Sequence, residues 1–78
     1  MRKYAIVSDD HQLGYWFTGR TYTHQGETFA MFAHRSKPEE AKTWQTSKAA
    51  YSALFKLEER AANLWGGVNL SVVELINQ

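Results

Sequence analysis

Residues 48–65 read KAAYSALFKLEERAANLW, and their periodicity decides the fold class. At 100° per residue, Ala50, Leu54, Leu57, Ala61 and Leu64 fall on one stripe, flanked by Ala53 and Trp65. Lys48, Ser52, Lys56, Glu59 and Asn63 fall on the opposite side. The spacing predicts one amphipathic helix over 48–65, with Thr46 or Ser47 as its N-cap. Gly66-Gly67 is expected to stop it, because glycine readily adopts the left-handed conformation.

Outward from this helix the period changes to two. Upstream, KYAIVS (3–8), a second segment over 14–22 and ETFAMFAHR (27–35) read as strands. DDHQLG and THQG separate them as turns, so the three are expected to form an antiparallel meander. SKPE (36–39) carries a capping-box spacing from Ser36 to Glu39 with Pro38 between, which predicts a short helical turn over 37–42. Downstream of the helix, VNLSVVELI (68–76) reads as a closing strand. The expected architecture is α+β: an antiparallel sheet of about four strands in the order β-β-β-α-β, with one long helix packed on one face. Residues 1–78 make a single domain.

Composition narrows the function classes. At 78 residues, folding buries roughly 60% of the surface that the unfolded chain exposes. Hydrophobic residues at 44% supply a core, and a net charge of +1 gives no global field for nucleic acid or anionic lipid. No cysteine is present, which removes disulfides and thiolate metal sites and suits a reducing compartment. The apolar run Tyr4–Val7 is too short for a secretory signal, and no stretch has the length of a membrane span. A cytoplasmic location and no membrane partner are the expectation.

Catalytic and metal chemistry find little support. His11, His24 and His34 stand in or beside expected turns and strand ends, near Asp9 and Asp10, with no zinc-signature spacing. No nucleophile elbow, phosphate loop or dinucleotide glycine pattern occurs. Glu39-Glu40 suit a helix N-terminus, and Glu58-Glu59 lie largely on the solvated side of the helix. The expectation is a non-enzymatic protein with no cofactor.

GYWFTGRTY (14–22) poses the functional question. Alternation places Tyr15 and Phe17 on one face and Trp16, Arg20 and Tyr22 on the other, while a single helix covers one face of the sheet. An open aromatic face suits a protein partner or a second copy of the chain. Trp16, Arg20 and Tyr22 are the candidate contact residues. Tyr51 and Phe55, one helical turn apart and off the core stripe, either extend that surface or pack over the sheet edge. The alternative is single-stranded nucleic acid held by Lys3, Trp16, Arg20, Tyr22 and Arg35, with rings stacking bases and cations meeting phosphates. A third reading makes Trp16 and Tyr22 the core-facing row.

KYAIVS, YWFTGRTY, AKTWQTSKAAYSALFKLEE (41–59) and VVELI (72–76) together resemble small proteins encoded by phages and prophages of Gram-positive bacteria. Ala41, Lys42, Trp44 and Thr46 fit the element that leads into the helix in such proteins, and THQGETFAMFAHRSKPEE departs from their pattern by its length. The resemblance implies an accessory role and assigns no catalytic or binding residue.

Overall fold

The computed structural model describes residues 2–10, 12–64 and 67–76. His11, Trp65 and Gly66, which carry parts of the metal, core-stripe and helix-stop expectations, lie outside them. The chain forms β1 (Arg2–Ser8), β2 (Trp16–His24), β3 (Glu27–Ala33), β4 (Thr43–Trp44), α1 (Ser47–Arg60) and β5 (Leu70–Ile76). Short 3₁₀ turns occupy Pro38–Glu40 and Ala62–Leu64. The expected α+β architecture is present: one antiparallel sheet with one helix packed against it.

β1 is the centre of the sheet. It pairs with β5 along its whole length, from Arg2 opposite Ile76 to Ser8 opposite Leu70. β5 therefore takes one edge of β1, and β2 and β4 share the other. Val7 meets Trp16 of β2, whereas Tyr4 and Ala5 meet Trp44 and Thr43 of β4. The chain entering β4 separates β2 from the N-terminal half of β1, and the Lys42 N–H donates to the Phe17 carbonyl at 2.8 Å. β4 lies between the expected helical turn over 37–42 and the helix, where no strand was read. Two residues are too few to show alternation.

α1 begins where Thr46 caps it: the Thr46 hydroxyl accepts from the Ala49 N–H at 3.1 Å. Ala50, Leu54 and Leu57 are buried on the sheet, together with Ala61 and Leu64 beyond the helix end. Leu54, Leu57, Ala61 and Leu64 meet Ile6, Phe17 and Ala30, with Leu13, Phe32, Trp44, Val68, Leu70 and Val72 around them. Each buried leucine contributes roughly 1.5–3 kcal/mol. The helix is shorter than the expected 48–65. It ends at Arg60, Ala61 turns extended, and the 3₁₀ turn carries the stripe on. Ala61 and Leu64 are three apart, a spacing that both helix types bury on one side.

The other boundaries shift by a few residues. β2 starts at Trp16 rather than at 14, β3 ends at Ala33, and β5 starts at Leu70. Ser36 caps nothing in the Pro38–Glu40 turn, because its hydroxyl and N–H both engage the His34 Nδ1, at 2.8 and 3.1 Å. No helix among the described residues is long and apolar enough to cross a membrane.

Candidate protein-interaction surface

The sheet face turned away from α1 is not open at its centre. Ala5, Val7, Trp16 and Ala33 form a second buried cluster there, with Tyr15, Ala41, Val73 and Leu75 packed around it. Residues 34–41 cross this face as a roof. The Trp16 Nε1–H donates to the Arg35 carbonyl at 3.0 Å, which ties the roof to the sheet. Trp16 is 9% exposed. Its placement away from Phe17 follows the expected alternation, but its ring is not available as a contact surface.

Tyr15 departs from the expected row. It precedes β2, so strand alternation does not govern it, and it packs with Trp16 rather than with Phe17. The two rings meet edge to face at 4.8 Å, and the Arg35 guanidinium lies 4.8 Å above Tyr15. Val7, Ser8, Asp9, Asp10, Gly14, Tyr15, His34, Arg35 and Ser71 line a cleft of about 400 Å³ beside this stack. Its acids are committed locally. Asp9 accepts from the Asn69 backbone and side chain at 3.2 and 3.1 Å, and Asp10 accepts from the Gln12 N–H at 2.9 Å. Among the described residues no three histidine, aspartate or glutamate side chains gather as a metal site.

Beyond Phe17, β2 and β3 run on past β1 as a two-stranded arm, of which Ala30 alone stays in the core. Phe17 pairs with Phe32, but the next pair is Thr21 with Ala30, so Thr18, Gly19 and Arg20 face Met31 alone. This bulge forms where the chain at Lys42 crosses β2. Gly19 has φ +82°, and a Cβ there would come within 3.0 Å of the Lys42 side chain. The Thr18 hydroxyl donates to the Met31 carbonyl at 2.9 Å and holds the bulge together. Gln25 and Gly26, both with positive φ, make the two-residue hairpin turn, opposite-strand neighbours being His24 and Glu27.

Every residue from Gly19 to Glu27 is exposed. Cross-strand partners share a face, so Tyr22, Phe29 and Met31 stand on the same side as Ala33, away from α1. Tyr22 stacks on Phe29 with ring centres 5.2 Å apart and planes at 22°, yet remains 51% exposed. Met31 is also exposed, and so is Arg20 at the bulge. On the other edge of the arm, Asn63 clamps β3: its Oδ1 accepts from the Ala30 N–H at 3.1 Å and its Nδ2 donates to the Ala30 carbonyl at 3.0 Å.

The candidate residues therefore divide. Arg20 and Tyr22 stand together on the arm, Trp16 is core, and Lys3 and Arg35 are exposed. Tyr51 and Phe55 do not pack over the sheet edge. They are exposed on α1, 6.5 Å apart, with the sheet between them and the Trp16 cluster. Phe29 and Met31 were not singled out in the sequence. The turn at Gln25-Gly26 carries the signal for Phe29, since a two-residue turn sets Tyr22 against it.

Comparison with known families, curated proteins and solved structures finds no match for this chain.

Proposed function

We propose that this chain is a non-enzymatic interaction module that binds a protein partner through the side of the β2–β3 arm facing away from α1. The observation that supports this reading is the stacked Tyr22–Phe29 pair, whose Tyr22 stays half exposed with exposed Met31 and Arg20 beside it. Aromatic residues, methionine and arginine are the types enriched at protein interfaces. A ribbon face without a second layer gains apolar burial when a partner supplies one. The accessory role implied by the resemblance to phage-encoded proteins needs no further chemistry, and the lack of cysteine suits a cytoplasmic setting.

Single-stranded nucleic acid is the second reading, because Arg20 and Tyr22 are exposed together on the arm and Lys3 and Arg35 are also exposed. It has lost Trp16 as a stacking platform. One experiment separates the readings. A protein captured by the wild-type chain should be lost with Tyr22→Ala and retained with Phe55→Ala, both variants keeping the wild-type melting temperature within a few degrees. Binding of a single-stranded oligonucleotide that weakens steeply with salt would replace the protein reading with the nucleic-acid one.

A further inference from the structure

α1 carries a row of side chains that the core does not use. Lys48, Tyr51, Phe55 and Glu58 follow one another at spacings of three, four and three residues. That alternation is the a/d pattern of a heptad, and it draws one seam down the side of a helix. All four residues are exposed, Tyr51 at 47% and Phe55 at 61%, and the two rings lie 6.5 Å apart.

The charges at the two ends of the seam oppose the helix's own dipole. Lys48 stands in the first turn, where partial positive charge favours acids and α1 has none. Glu58 stands in the last turn, where partial negative charge favours bases. Within α1 the residues three and four away are uncharged: Tyr51 and Ser52 for Lys48, Leu54 and Phe55 for Glu58. Roughly 15 Å of helix separates the two charges from each other. Each is placed for an opposite charge from outside the helix.

The geometry points to a second copy of this chain as the occupant: two α1 helices pack antiparallel along the seam, Tyr51 of each against Phe55 of the other and Lys48 against Glu58. Residue type, not symmetry, selects the register. Both pairs share one midpoint, Ala53, so a single alignment satisfies them together. Moving the partner by one turn sets Phe55 on its own twin and Tyr51 on Glu59. A parallel pair sets Lys48 on Lys48 and Glu58 on Glu58. Antiparallel packing also lays opposite dipole ends side by side. α1 is already held on its sheet, so pairing it costs no helix ordering. Four residues a side fall below the roughly 1,200 Å² at which stable complexes begin, so the dimer is weak. The arm surface faces away from α1, so this seam stands or falls separately from the proposed function.

Sedimentation equilibrium at low salt, carried to millimolar chain, should show the mass rising toward twice that of the monomer. Phe55→Ala should abolish the rise while leaving the core alone, since the ring is exposed. Lys48→Glu and Glu58→Lys each oppose like charges across the seam and should weaken self-association roughly tenfold. Both changes suit the helix dipole, so neither variant should lose helix by circular dichroism. The decisive sample mixes the two single variants. A Lys48→Glu chain beside a Glu58→Lys chain restores both charge pairs, and the mixture should dimerise at least as well as the wild type. A chain that stays monomeric at millimolar concentration overturns the inference. So does a dimer that Phe55→Ala or either reversal leaves intact, or a mixture that associates no better than its components.

Discussion

Trp16 shows how alternation can give the right face and the wrong exposure. Its direction follows from period two, but its burial depends on residues 34–41, which read as the end of the third strand and a short helical turn. That roof contributes one carbonyl, from Arg35, and one small apolar side chain, Ala41. Neither is a hydrophobic signal in the sequence. Trp16→Ala should cost about 3–5 kcal/mol, the range for large aromatic truncations in a core. Trp16→Phe keeps most of the packing, leaves the Arg35 carbonyl without its donor, and should cost less. Urea denaturation of both variants measures this. A loss below half a kcal/mol for Trp16→Ala would mean that the ring is surface after all.

Among the elements, α1 was the most legible, because five apolar residues at helical spacing admit few alternatives. Its end was not, since the Ala61–Leu64 spacing is shared by the 3₁₀ turn that follows. The bulge in β2 was hidden for a related reason. Alternation from Trp16 to Tyr22 continues through it, and Gly19 was its one trace in the sequence. The Asn63 clamp was read as a solvated helix position. Asn63 is half buried and hydrogen-bonds both backbone groups of Ala30, itself 3% exposed. Asn63→Ala leaves a buried donor and acceptor without partners and should cost about 1–3 kcal/mol. The Ala30 amide should lose protection from exchange in that variant, while the β1 amides keep theirs. Equal loss across the sheet would mean that Asn63 acts on the whole fold and not on the edge of β3.

At the scale of the molecule, the class and the order of the elements other than β4 were readable from two periodicities and the turns between them. The arrangement was not. Composition and spacing say that strands exist, not that the first pairs with the last, nor that β1 carries three partners while the arm departs from it. That central position has a consequence for how the chain is made. The pairs from Arg2–Ile76 to Ser8–Leu70 join segments separated by nearly the whole sequence, whereas the hairpin and the helix are local. Non-local pairing requires loop closure before it is rewarded. During synthesis β1 emerges before β5 and waits with the β5 edge unfilled. Folding of the sheet is therefore expected to await residues 70–76. A chain ending at Asn69 should accordingly show no cooperative thermal transition by circular dichroism. A sharp transition in that fragment would show that β1 is held in place without its longest partner.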